Sequence, residues 1–486
     1  MFSAFHFHLL AALLLTSHAH AQYQAPALAG QGSAISSRDR IYTGDQTSNT
    51  VTVIDPGTSS VLGTIAFGSS RLSNNLNPQN VDSMNSHGLG FSRDGKYIVS
   101  LSTLSNTATV IRTADNTIIT RAYVDRGPHE AFFAPDNRTI WIGTRGVSSV
   151  NIIDGMNGTL LDKIATGRGP SKVLFSPNGT IAYVNHIFEP VISVIDVSIR
   201  EVSYNITGLA DAFSSDMMIS ADGGSLWAAH KMSGQVSVID LAARKVAAVL
   251  DSGPETNHPN FAIVNGTTYA FVTVAAINAT RVYSQPSPAE IPVFVKNIPA
   301  SGVQPHGLWP SADNTRMYVV NEHSDTMDII DTNSLEVIKT IRIGQEGQAL
   351  IYVSNAVPEG MNGTENLGKQ GLGLRVESYR FPVFGNASND ETDFMTDVPK
   401  PQAQITIRKT SGLDMFQVIG RNLVLNGTYT VSARRQSSDE NSRTPLMTFT
   451  ANTRTRTGCG TAPQALAFFK FWDVYDVQSL EVRQGA

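Results

Sequence analysis

The chain has 486 residues, 41% hydrophobic and 16% charged, with a formal net charge of −5 and a single cysteine. These values describe an ordinary globular protein with room for one large domain and one small one. A weakly acidic chain without a basic stripe excludes nucleic acid as an expected partner, and the lone Cys459 excludes an intrachain disulfide.

Residues 1–21 carry an apolar run from Leu9 to Leu15 and then Ala19-His20-Ala21, a small-x-small cleavage pattern, and read as a signal peptide. The run is too short to cross a bilayer, and no other stretch approaches the ~20 apolar residues needed. The mature chain is therefore expected to be secreted, extracellular and without a transmembrane segment. Nine Asn-x-Ser/Thr sequons agree with that route: Asn137, Asn157, Asn178, Asn205, Asn265, Asn278, Asn362, Asn386 and Asn426.

From Arg40 onward, short runs rich in β-branched and aromatic residues recur in a fixed order. The best-formed copy spans Gly127 to Gly167, where AFF, TIWIG, VNIID and LDKIA are separated by turn formers such as Pro135-Asp136-Asn137 and Asn157-Gly158. That pattern reads as a four-stranded antiparallel meander. Its third strand ends at Asp55, Arg112, Asp154, Asp196, Asp240, Tyr283 and Asp331 in successive units. Seven units spaced roughly 42–57 residues apart fit propeller blades, since one such sheet cannot bury both faces alone. The recurring Asp has a local reason, because its carboxylate can accept backbone N–H groups of the following turn.

The first unit starts at Arg40 without an innermost strand of its own, and Gly347 to Asn355 (GQALIYVSN) is expected to supply it and close the ring. The insertion Ser69–Ser86 reads as a loop over one face. Unit six departs from the pattern at RVYSQPSPAEIPVFV, whose Pro286, Pro288 and Pro292 suit a protruding connection and an edge strand. Beyond the propeller, placed at 34–357, residues 358–400 read as a linker and 401–486 as a small β-sandwich-like accessory domain.

With these landmarks in place, the chain resembles the YVTN family of β-propellers through AYVNH (Ala182 to His186) and MYVVNEH (Met317 to His323), together with the recurring V-x-V-I-D strands. The resemblance implies an all-β, seven-bladed propeller and says little about activity. Gly-Pro-His before a strand gives a more distant similarity to seven-bladed lactonases and fungal lactonizing enzymes, an analogy of architecture.

The histidines carry the most chemical information. His87, His129, His258 and His306 lie at the heads of first strands, and His186, His230 and His323 end second strands. In a meander both places belong to one face, and first strands line the channel. Glu130, Lys172, Asp216 and Glu346 occupy comparable first-strand positions, while Arg126, Arg145 and Arg168 lie in loops on the same face. The expected centre is His129, Glu130 and Arg145, with His87, Arg168, Lys172, His258 and His306 binding substrate. His129 is expected to carry the proton from an ordinary pKa near ~6.5, with Glu130 orienting it or pairing with Arg145. Against this stands a purely structural role, in which each imidazole links blades through carbonyl groups. Imidazoles converging on an axis could also hold zinc or copper, although no His-x-His or His-x-x-x-His spacing supports it.

No G-x-S-x-G elbow, Walker loop, dinucleotide fingerprint, C-x-x-C-H site or H-E-x-x-H helix is present, so no organic cofactor is expected. Two functions stay open. One is a secreted propeller that binds and converts a small metabolite at the channel mouth as a lactonase, cyclase or isomerase, with secondary-metabolite tailoring as one setting. The other is a non-catalytic propeller presenting its loops to a protein or glycan partner.

Overall fold

The structure, a computed structural model, describes residues 32–67, 85–368, 376–384, 402–409, 414–435, 443–454, 460–469 and 477–485. The signal-peptide segment, Cys459, Asn386 and all but the last two residues of the Ser69–Ser86 insertion lie outside them. Seven four-stranded antiparallel sheets form the blades of a propeller, and a further sheet of eight strands forms a small C-terminal β domain. Blades 2 to 7 begin with inner strands Ser86–Phe91, Pro128–Phe133, Pro170–Phe175, Asp216–Ile219, Thr256–Val264 and Pro305–Pro310.

Blade 1 is completed from the far end of the ring. Gly347–Val353 pairs antiparallel with Arg40–Asp45, placing Ile351 opposite Tyr42 and Val353 opposite Arg40. Asp39 clamps the same junction, accepting the Tyr352 hydroxyl at 2.6 Å and the Asn355 N–H at 2.7 Å. Two strand edges that would invite aggregation are thereby paired with each other.

The sequence pattern has direct structural causes. The carboxylate ending the third strand accepts turn N–H groups at Asp55 (Gly57, 2.8 Å), Asp154 (Met156, 2.8 Å), Asp196 (Ser198, 2.8 Å) and Asp331 (Asn333, 3.0 Å). The Asn of AYVNH joins two blades: Asn185 accepts the Lys172 N–H at 2.8 Å, and its amide donates at 3.0 Å to the Ser214 carbonyl of blade 5. Along the axis, Phe91, Phe132 and Trp309 of blades 2, 3 and 7 meet with ring centroids 5.6 to 6.1 Å apart. Phe132 and Trp309, with Leu89, Met218 and Leu350, line a cavity of only about 20 Å³, so the channel is filled below its mouth.

One strand of the C-terminal domain, Val376–Phe384, falls within the stretch read as linker. It pairs antiparallel with Gln402–Lys409 and parallel with Val477–Gln484, bridging the two halves of the sheet. Both halves share a core that includes Ile405, Phe416, Val418, Tyr429, Val431, Phe449 and Val482. Residues ahead of this strand run back along the propeller, where Gly368 bridges Thr64 and Asn116 donates to the Gly363 carbonyl at 3.0 Å.

Closure should dominate stability. Ile351 is 1% exposed within the closing strand, so Ile351→Ala should cost about 2–5 kcal/mol in urea unfolding. A loss within ~0.5 kcal/mol would place the closing contact elsewhere.

Candidate functional site at the channel mouth

The mouth is built by a backbone device at the heads of the inner strands. The residue before the strand has positive φ in six blades: Asn85 (68°), Gly127 (71°), Gly169 (70°), Glu255 (58°), Gln304 (61°) and Glu346 (51°). A register shift follows at once in each, for example between Pro128 and Ala131. Such bulges re-aim side chains. His129 and Glu130, consecutive in sequence, therefore both join the mouth cluster, where a regular strand would send them to opposite faces. The equivalent pairs are Ser171-Lys172, Ser215-Asp216 and Asn257-His258, while Gly88 and Gly307 take Glu130's place in blades 2 and 7. A Cβ at Gly88 would lie 1.8 Å from the His129 carbonyl oxygen, so only glycine allows these inner strands to approach so closely.

Four consecutive blades contribute one connected polar chain. Lys172 Nζ lies 2.8 Å from Glu130 and 2.8 Å from Asp216, and Asp216 accepts the His258 Nδ1–H at 2.5 Å. Arg145 crosses the same mouth, donating to Ser171 Oγ at 2.8 Å and to the Ser215 carbonyl at 3.1 Å. Ser171 Oγ also meets His129 Nδ1 at 3.1 Å. The His87 and His129 rings lie 4.7 Å apart, and those of His258 and His306 lie 4.5 Å apart. His306 Nδ1–H donates to the Gln348 carbonyl at 2.9 Å, which leaves its Nε2 with the lone pair.

Burial sets the charge states. It drives all four rings below the ordinary imidazole value, His87 and His258 to about 3, with Arg145 adding to the effect at His87 and His129. The ordinary titration expected of His129 is thus corrected: in a mouth floored by aromatic side chains, the ring stays neutral. Burial, then Asp216, raises the Glu130 carboxyl. Burial opposes the Lys172 ammonium, but Asp216 and Glu130 outweigh it and hold its pKa above the usual lysine value. Glu130, Asp216 and His258 offer ligand atoms within 4.8 Å of one another and suit a divalent ion by donor type. The Lys172 ammonium already lies against both carboxylates, so an ion would have to displace it.

No protein-family model and no curated protein matches this chain. Solved structures do. Hydrazine synthase of Kuenenia stuttgartiensis is 17% identical with a TM-score of 0.51, over 66% of this chain and 99% of that one. The periplasmic gluconolactonase of Pseudomonas aeruginosa is 15% identical with a TM-score of 0.52, over 66% and 99%. A functionally unknown protein from Desulfotomaculum acetoxidans is 10% identical with a TM-score of 0.53, over 64% and 98%. These likenesses show the fold.

The remaining expected residues divide. Glu130 pairs with Lys172, neither orienting His129 nor meeting Arg145 in an ion pair; within the cluster the imidazole that meets a carboxylate is His258. Arg168 stands apart from the cluster, its exposed side chain bound to Glu189 at 3.1 Å. His186 and His230 bond within their own blades, to the Val191 carbonyl at 3.1 Å and to Ser237 Oγ at 2.8 Å. Asn137, Asn178 and Asn265 lie in turns between first and second strands and Asn157 in a turn between third and fourth, at the rim away from His129. Asn278 lies on the histidine rim, where its side chain accepts the Gln304 N–H at 2.9 Å.

Sequence reasoning missed the cover. The strand Asp414–Leu423 turns Phe416 and Val418 into its own core, while Gln417 and Ile419 line a cavity at the mouth. Gln417 donates to Glu346 at 3.3 Å, and Arg421 meets Glu255 at 3.5 Å. The period-two alternation of MFQVIGR was the available signal, but it does not say what the second face covers.

The neutral rings predict a direction for pH dependence. Below ~6.5 the unfolded chain protonates these histidines and the folded chain does not, so stability falls on acidification, by roughly 1.4 kcal/mol per net proton per pH unit. Asp45, raised to about 7 by burial, opposes this between its unfolded value and pH 7, and the raised Glu130 carboxyl acts in the same direction as Asp45. His186, His230 and His323 are also held below the ordinary value, so seven rings against two carboxyls leave a net loss. The melting temperature should drop between pH 6.5 and 5, and a flat or rising one would reject neutral rings.

Proposed function

We propose that this protein is a secreted propeller that binds and converts a small metabolite at the channel mouth, with lactone hydrolysis the best-supported chemistry. The observation that carries the reading is the buried chain Glu130–Lys172–Asp216–His258 beside Arg145. Burying so many ionisable groups is a poor route to stability, and such clusters concentrate at functional sites. A gluconolactonase among the structural neighbours supports the choice of reaction by analogy of fold.

In this reading His258 Nε2 takes a proton from water as its oxygen attacks the lactone carbonyl. Asp216, already bonded to Nδ1, stabilises the imidazolium that forms. Arg145 stabilises the oxyanion, and the ring C–O bond then breaks as the proton passes to the leaving oxygen. A non-catalytic scaffold is the second reading, favoured by the exposed apolar run Ile291, Val293, Phe294 and Val295 at the edge of blade 6.

The test is lactone hydrolysis by the full chain, followed by acid release across a panel of sugar and aliphatic lactones. His258→Ala should lower kcat by about 10²–10⁴-fold, and Arg145→Ala by about 10²–10³-fold. His129→Ala should fall less than His258→Ala, because no carboxylate supports that ring. A wild-type chain inert towards the whole panel, or variants as active as wild type, would move the reading to the scaffold.

A further inference from the structure

A cavity of about 280 Å³ lies between the blade 1, 2 and 7 side of the mouth and the C-terminal strand that covers it. It shares only His87 with the cluster described above. Its ionisable lining is Glu322, Glu346, His87 and His323, and among the described residues no lysine or arginine lines it. Burial works against the Glu322 carboxylate, but the His323 ring 3.5 Å away, itself held below the ordinary imidazole value by burial, and the more distant Lys231 favour its ionised form. Arg421, the cation on the covering strand, is engaged by Glu255.

Two lining side chains from the two domains are short of donors. Glu322 is 7% exposed and Gln417 is 3% exposed, and neither Glu322 Oε2 nor Gln417 Oε1 has a hydrogen-bond partner among the described residues. A buried acceptor left without a donor costs about 1–3 kcal/mol, and more when charged. What this cavity lacks is therefore N–H or O–H groups, with positive charge preferred. Leu104 and Ile419 add short apolar walls.

We infer that this cavity binds the protonated amine end of a small aliphatic ligand, held between Glu322 of the propeller and Gln417 of the C-terminal domain. Its volume equals that of roughly nine waters at ~30 Å³ each, which admits a chain of a few carbons and excludes a peptide or glycan. The inference deepens the proposed function and rests on it in one respect only: through His87, an amine held here would direct the rest of its molecule towards His129 and Arg145.

The test is calorimetric titration of the full chain at pH 7 with 5-aminopentan-1-ol and with its uncharged counterpart pentane-1,5-diol. The amine should bind at least tenfold more tightly than the diol. Glu322→Gln should weaken the amine by about 10–100-fold, the worth of a charge-assisted hydrogen bond, and Gln417→Leu by a smaller factor. His258→Ala should leave amine binding intact while lowering turnover, so failure of the catalytic reading and failure of this one are distinguishable. Equal binding of amine and diol, binding of neither, or wild-type amine affinity in both cavity variants would overturn the inference. Should Glu322→Gln fail to fold, as a melting curve would show, Gln417→Leu in the separate domain decides the matter.

Discussion

The mouth depends on one backbone constraint, a left-handed residue followed by a bulge at the head of an inner strand. A regular strand alternates its side chains, so each blade could offer only one residue to the axis from any two consecutive positions. The bulge lifts that limit. Blades 3, 4 and 6 can then bring Glu130, Lys172 and His258 to Asp216, which the regular inner strand of blade 5 supplies, while His129, Ser171 and Arg145 form a second layer of bonds beside them. Without the shift between Pro128 and Ala131, His129 and Glu130 would point to opposite faces and the cluster would come apart.

The second determinant is the closed floor. Phe91, Phe132 and Trp309 fill the axis just below the charged residues, so these groups face low-polarity side chains on that side, while His87 lines the cavity under the C-terminal strand. In such surroundings an imidazolium is costly and a neutral ring is not. Charge survives at Lys172, between two carboxylates, and at Arg145, whose guanidinium donates to Ser171 and the Ser215 carbonyl. The result is a set of neutral imidazoles beside fixed charges, an arrangement suited to moving protons, whereas an apolar filling of the same volume would serve stability as well or better.

Much of the fold was legible because its causes are local. The Asp that ends five of the seven third strands bonds the residues two or three further on, the turns need Asn, Asp or Gly, and the closing strand betrays itself by a pattern with no blade to follow it. The residues of the mouth were legible as candidates because the repeat fixes their phase. Their partners were not. Glu130 to Lys172 and Asp216 to His258 are pairings between blades that depend on the bulge, and phase alone cannot say which neighbour a side chain will meet. The strand Val376–Phe384 was hidden in a stretch rich in Gly and Asn, and the contact between Glu346 and Gln417 joins two domains.

The left-handed positions show why the C-terminal domain belongs to the site. Blades 3 and 4 use Gly127 and Gly169 there, for which positive φ costs nothing. Blades 6 and 1 use Glu255 and Glu346, at a cost of roughly 1–2 kcal/mol each for an L-residue. Strain of this kind persists where the side chain is used, and these two glutamates are the ones that meet Arg421 and Gln417. Asn85, also left-handed, bonds Gln46 and Thr103 at the rim of the same cavity. Gln304 follows no such rule, since its Oε1 has no partner among the described residues. Three of the four strained residues thus border the space between propeller and cover, which ties the backbone geometry of the ring to the domain that closes it.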